Sequence, residues 1–339
     1  KINELSHDDF FNELRQKEYH RLDKDNHVYL DFTGGNLYAK SQLDKHFSIL
    51  DEHSFGNPHS TNPTSMLSTE LLDEAREAVI KFFNADDYYC IFTQNASMAL
   101  HLVAESYPFE NNGHYLYCID NHNSVNGIRE YCSRNGGSHS YFPVNFDDLS
   151  IANDELISKL SESKAQNKLL AFPAQSNVSG VKHNLNYIKI AKELGWDVIL
   201  DAAAFVPTSI LDLKEHQPDF VSVSFYKIFG YPTGIGCLLV KKSSFEKLKK
   251  RWFAGGTVNL VSAKTPYFYL AYLYHNLKLL EHSNGICQVN IFGPSDRKNC
   301  GGTMIMTFNN PDGSKIQFEK IEELANSKKI SVRSGCFCN

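Results

Sequence analysis

The sequence predicts an α/β fold in which a mostly parallel sheet is sandwiched by helices. Three observations lead there. From about residue 70, amphipathic helical segments alternate with short apolar runs rich in β-branched and aromatic residues. Strands separated by helices must return in the same direction, which makes a parallel sheet covered on both faces. A chain of 339 residues, 42% of them hydrophobic, also suffices for one large core and a further lobe.

The elements follow in order. ELLDEAREAVIKFF sets Leu71, Leu72, Ala75, Val79, Ile80 and Phe83 at helical spacing, and YYCIFT reads as the buried strand after it. Next come the helix ASMALHLVAESY, the strand YLYCID, the helix SVNGIREYCSRNG and the strand HSYFPV. The helix DELISKLSES, the strand KLLAFPA, the helix NLNYIKIAKELG and the strand DVILDAAA continue the alternation. DFVSVSF and IGCLLVKK complete the sheet, and the link between these two is too short for a helical crossover, so the last strand is expected to run antiparallel.

After RWFAGGTV the pattern changes. Helix-like YFYLAYLYHNLKLLEH, strand-like CQVNIFG and GGTMIMTFNN, a polar helix and KISVRSGCFCN predict a smaller α+β lobe. The expected division is a large domain over 25–258, with 1–24 and 259–339 forming the lobe. The stop at Asn339, directly after Cys338, suggests a tail beyond it.

Composition narrows the function. A net charge of −5 without a Lys/Arg block argues against nucleic-acid or anionic-membrane partners and for small-molecule chemistry. Eight cysteines, scattered except for Cys336 and Cys338, do not form the framework of a secreted disulfide scaffold. The polar amino-terminal stretch has no apolar signal core, and no segment holds the roughly 18 apolar residues of a spanning helix. The expectation is a cytoplasmic protein.

Ligands of α/β sheets bind beyond the carboxyl ends of the strands, and five candidates fall at such positions or on the carboxy-terminal segment. In FTQNASMALHL a helix opens at Asn95, Ala96 and Ser97, either as a phosphate cradle or as an ordinary N-cap. His122 lies between a strand and a helix, where it is a structural histidine or one that stacks on a ring or shuttles a proton. Asp201 closes DVILD, where a carboxylate after an apolar run needs a cation or a capping role. Lys227, in SFYKIFGYPTGIGCLLV, follows the next strand, so parallel neighbours would bring it to the same sheet edge as Asp201. It is an exposed strand-end lysine or a covalent anchor for an aldehyde cofactor, with Asp201 on the ring nitrogen. Finally, VRSGCFCN offers Arg333 for a carboxylate and Cys338 as a nucleophile, or Cys336 and Cys338 as half of a metal site that lacks further visible ligands.

These stretches, with LDFTGG, GNPHS, DNHNSVNGIRE, FPAQSNVSG, LDAAAFVPTS and FAGGTV, resemble the class V pyridoxal-phosphate enzymes of fold type I. Within that group the sequence is most similar to the desulfurase domain of molybdenum cofactor sulfurases. The resemblance implies a fold-type I transferase using pyridoxal 5′-phosphate. It implies Lys227 as the covalent cofactor lysine, Asp201 on the pyridine nitrogen and His122 on the ring. Ala96, Ser97 and Ser224 would hold the phosphate, Asn177 would lie near a cofactor oxygen and the substrate carboxylate, and Arg333 would clamp that carboxylate. Gly256 and Thr257 would reach the phosphate of a second subunit in a homodimer. Cys338 would take sulfur from L-cysteine or a related amino acid, as a persulfide, for an acceptor protein or cofactor; no resident metal is implied. Ala204 stands where many desulfurases have Gln, and Tyr226 where they have His, both as in the molybdenum cofactor sulfurase branch. The alternative is another class V activity: aminotransferase, epimerase or selenocysteine lyase.

Overall fold

The computed structural model describes residues 7–58, 60–110, 112–249, 252, 260–261, 268–269, 289–292 and 305–329. The chain divides into two compact units, Lys1–Asp51 with Ala75–Arg251, and Glu52–Glu74 with Trp252–Asn339.

Among the described residues of the first unit, seven strands form one sheet. They are β1 (Tyr88–Thr93), β2 (Gly113–Cys118), β3 (Ser138–Phe142), β4 (Asn167–Pro173), β5 (Asp197–Asp201), β6 (Phe220–Ser224) and β7 (Gly236–Lys241). Their spatial order is β1-β7-β6-β5-β4-β2-β3. Every pairing from β3 across to β6 is parallel. β7 runs antiparallel to both β6 and β1, as the short link before it requires.

The continuous apolar strands reflect burial on two faces. In β4, Leu169 and Ala171 enter one core, while Leu170 and Phe172 enter the other. Helices Ala96–Ser106 and Ile128–Arg134 cover the first face through Leu100, Val103, Ile128 and Cys132. Helices Asn153–Glu162 and Asn186–Glu193 cover the second through Leu156, Leu160, Ile188 and Ala191. Each Leu, Ile, Val or Phe side chain among them contributes about 1.5–3 kcal/mol by leaving water.

Two boundaries differ from the pattern. The helix expected over 124–136 divides into Asn123–Asn126 and Ile128–Arg134, because Gly127 sits between them, a residue that supports a helix interior poorly. The strand expected to run through Ala204 stops at Asp201, whose own carboxylate accepts the Ala203 N–H at 3.1 Å and turns the chain.

In the second unit, Val289–Phe292 pairs antiparallel with Ile305–Phe308, matching the two strand-like runs. Phe268 and Tyr269, expected to begin a helix, instead pair with Leu260 and Val261, since adjacent aromatic residues favour an extended backbone once a partner strand exists. Helix Phe318–Ser327 is the expected polar helix. Its buried Glu322 accepts the Ser60 hydroxyl at 3.1 Å, and Asn326 donates to the Thr61 carbonyl at 2.9 Å. No described helix is long and apolar enough to cross a membrane.

Candidate active site

Parallel strands bring their carboxyl ends to one edge, so the segments after β1, β2, β4, β5 and β6 meet there. Asp201 is the last residue of β5 and pairs in register with Ser222 of β6. It is 8% exposed. Its Oδ1 accepts the Ala203 N–H at 3.1 Å and the Ser222 hydroxyl at 3.0 Å, whereas Oδ2 has no hydrogen-bond partner among the described residues. A carboxylate this buried with one oxygen unspent is a receptor for a cationic or N–H group.

Lys227 sits on the one-turn helix Phe225–Phe229 that continues β6. It is half-buried, and its ammonium has no partner among the described residues. The turn itself is held from behind. Asn36 receives support on both sides: its N–H donates to the Tyr226 carbonyl at 3.1 Å, and its side-chain amide to the Ile228 carbonyl at 2.8 Å. Gly230 ends the turn at φ +71°, packed so closely on Leu37 and Tyr38 that a Cβ would collide with their backbone. The backbone near Lys227 is therefore fixed while its amine is unengaged.

A third corner joins the ends of β6, β1 and β2. Asn95 caps helix Ala96–Ser106, its side chain accepting the Met98 N–H at 3.0 Å. The Ala96 N–H, expected to face a phosphate, donates to Ser224 Oγ at 2.9 Å, leaving the Ser224 hydroxyl proton to be given elsewhere. Ser97 and Ser124 share a hydroxyl hydrogen bond of 2.6 Å, and the Ser124 N–H donates to His122 Nδ1 at 3.1 Å. His122 is thus an N-cap whose ring is exposed at the same edge. Asn177, on the loop after β4, is half-buried, and its side chain has no hydrogen-bond partner among the described residues. Gly256, Thr257, Arg333 and Cys338 lie outside the described residues.

The buried Cys118 and Cys132 are poor nucleophiles. Burial pushes the Cys118 thiol up to about 12 and the Cys132 thiol up to about 11, so neither is a thiolate near neutral pH.

A family model described as aminotransferase class-V matches residues 28–273. The chain belongs to the class V aminotransferase family. Members depend on pyridoxal phosphate, and this class V chain is a pyridoxal-phosphate enzyme by that membership. It is 32% identical to the molybdenum cofactor sulfurase of Solanum lycopersicum and 34% identical to that of Homo sapiens. Each match covers 96% of the chain, but 49% and 44% of those relatives, so the chain spans about half the length of the curated relatives it matches. Among solved structures, the apo cysteine desulfurase from Thermococcus onnurineus NA1 aligns with a TM-score of 0.68 at 21% identity, covering 96% of this chain and 87% of that one. The cysteine desulfurase CsdA from Escherichia coli gives 0.62 at 23%, covering 77% and 64%. These two share the fold of this class V chain.

The residues present fit the cofactor. An aromatic nitrogen base finds the unspent Oδ2 of Asp201, an aldehyde finds the unengaged amine of Lys227, and a phosphate finds the Ser97 and Ser224 hydroxyls at a helix start.

Ser124, Asp120, Ser176 and Gly236 escaped the sequence reading, though Asp120 and Ser176 also follow strand ends. Gly236 opens β7 where a Cβ would come within 2.8 Å of the Asn95 backbone, so only glycine lets β7 lie beside the helix start. Gly236→Ala is expected to cost about 1–3 kcal/mol by overpacking, read as a lower Tm. An unchanged Tm would show that the Asn95 corner yields freely.

Proposed function

We propose that this protein is a cysteine desulfurase and sulfurtransferase of the molybdenum cofactor sulfurase kind. It would convert L-cysteine to L-alanine, leave a persulfide on Cys338 and hand the sulfur to an acceptor protein or cofactor. The observation that carries this reading is the juxtaposition of Asp201 and Lys227 at neighbouring strand ends, each with an unspent polar group. Similarity to molybdenum cofactor sulfurases over 96% of the chain supports the choice of chemistry.

In this reading Asp201 would pair with the ring nitrogen and His122 would cover the ring. Ser97, Ser224 and the backbone at Ala96 would hold the phosphate, with Gly256 and Thr257 contributed by the second subunit of a homodimer. Asn177 and Arg333 would orient the substrate carboxylate. The bound cofactor supplies the electron sink that acidifies the substrate α-carbon and steadies the charge left when the carbon–sulfur bond breaks.

The remaining work falls to the chain. Lys227 Nζ would hold the cofactor, and as a free amine it would take the α-carbon proton and deliver protons back. The Cys338 thiolate attacks the substrate sulfur. A sulfur–sulfur bond forms as the carbon–sulfur bond breaks, the electron pair passes to the β-carbon, and a proton there completes the methyl group of alanine. The two electrons gained by the β-carbon are matched by the two sulfurs that join, those of the substrate and Cys338, so no external oxidant is consumed. A cytoplasmic site accords with the free thiols of Cys90, Cys118, Cys132 and Cys237.

The test is the cofactor-loaded protein with L-cysteine and a reductant, assayed for alanine and sulfide. Wild type is expected to yield both in equal amounts, while Cys338→Ser keeps its visible absorbance and loses sulfide release. Undiminished turnover in Cys338→Ser would instead assign the site to an aminotransferase, epimerase or lyase.

A further inference from the structure

The segment after β2 reads Asp120-Asn121-His122, and its three side chains reach three different places. Asn121 donates its amide to the carbonyls of Cys118, at 2.9 Å, and Ala171, at 3.2 Å, tying the segment to β4. His122 caps the next helix at the site edge. Asp120 reaches sideways to the loop after β4, where its Oδ1 accepts the Ser176 hydroxyl at 2.9 Å.

Ser176 is the hub of that loop and is fully buried. Its Oγ accepts the N–H groups of Val178, at 3.1 Å, and Ser179, at 3.0 Å. Its own N–H donates to the Val181 carbonyl and its carbonyl accepts the Gly180 N–H, while Gly180 turns the chain at φ +76°. A hydroxyl that accepts two N–H groups still has one proton to give, and a fixed acceptor for that proton locks its orientation. Asp120 is that acceptor. On its other side, Asp120 Oδ2 lies 3.5 Å from Nε2 of the buried His183, whose backbone N–H is fixed to the Ala174 carbonyl at 3.0 Å. The carboxylate is thus bonded to one end of the loop through Ser176 and only adjacent to the other. Burial pushes the His183 imidazole down, and neither Asp120 Oδ2 nor His183 Nε2 has a hydrogen-bond partner among the described residues. Asn177 stands inside the turn.

We infer that Asp120 is a positioning residue for Asn177: through Ser176 it sets the turn that presents the Asn177 amide to the site. The inference concerns a residue with no role in the reading above, and its effect on substrate rests on that reading's assignment of Asn177. Asp120 touches neither substrate nor cofactor. Its removal should loosen the turn and weaken substrate binding while leaving the Lys227 chemistry in place.

Two measurements test it. The first is amide hydrogen exchange in cofactor-free protein. Asp120→Ala and Ser176→Ala are expected to speed exchange at Val178 and Ser179 by about tenfold, while Asp120→Asn, which keeps an acceptor oxygen, stays near wild type. The second is steady-state kinetics on loaded protein. The two alanine variants should raise KM for L-cysteine about tenfold with kcat within about twofold, and the double variant should be no worse than either single one. Ser176→Ala removes one oxygen, and it keeps the test open should Asp120→Ala fail to fold. Unchanged exchange in Ser176→Ala, or additive effects in the double variant, would overturn the inference. If wild type does not turn over L-cysteine, the desulfurase reading fails, and exchange still decides whether Asp120 sets the turn.

Discussion

Lys227→Ala is expected to abolish the visible absorbance of the cofactor-loaded protein and to cut alanine formation by on the order of 10²–10⁴-fold from lost proton transfer alone. The expectation rests on how little else the side chain does. Its ammonium has no partner among the described residues, and the turn around it is held by Asn36 against the carbonyls of Tyr226 and Ile228. Truncation should therefore shift stability by only about 0.5 kcal/mol. A small alkylamine added to the variant should restore part of the rate, because the missing function is a base that can be supplied from solution. A variant that kept wild-type turnover would remove Lys227 from the chemistry.

Asp201→Asn should lower kcat by about 10²–10³-fold, the scale of one preorganised electrostatic contact. Asparagine keeps an oxygen for the Ala203 N–H and the Ser222 hydroxyl, so folding should be nearly unchanged. Asp201→Ala leaves both donors without their acceptor, with Ser222 completely buried, and should cost roughly 1–3 kcal/mol for each group. Comparing the two variants separates charge from architecture. Equal Tm but unequal kcat between wild type and Asp201→Asn is the predicted signature, and equal kcat would relieve Asp201 of its ring-nitrogen role.

The pairing of these two residues was legible before any coordinates, because parallel strands joined by crossovers place successive strand ends side by side. The same rule placed His122 at that edge, whereas Asn177 was named by the resemblance alone. The antiparallel turn of β7 followed from loop length. Contacts made by side chains across long separations were not legible. Ala96 and Ser224 are far apart in sequence, so nothing local announces that the Ala96 N–H is already engaged. Asp120 and Ser176 are hidden for the same reason. The early end of β5 was missed because periodicity reports burial, whereas the turn is made by the Asp201 carboxylate itself. Arg333 and Cys338 were singled out by chemistry and resemblance, and they lie outside the described residues.

The antiparallel β7 also governs the order in which the sheet can be assembled. β1 precedes the other strands of this sheet in sequence, yet it joins the sheet only through β7, with Tyr88 opposite Lys241. While the chain is synthesised from its amino terminus, β2 to β6 can pair in turn, but β1 has no neighbour until β7 emerges. That long closure puts the contact between Asn95 and Gly236 among the last to form. A nascent chain cut short before β7 would carry β1 as an unpaired apolar edge, open to other chains. The corner assigned to the phosphate is thus completed by the same event that closes the sheet.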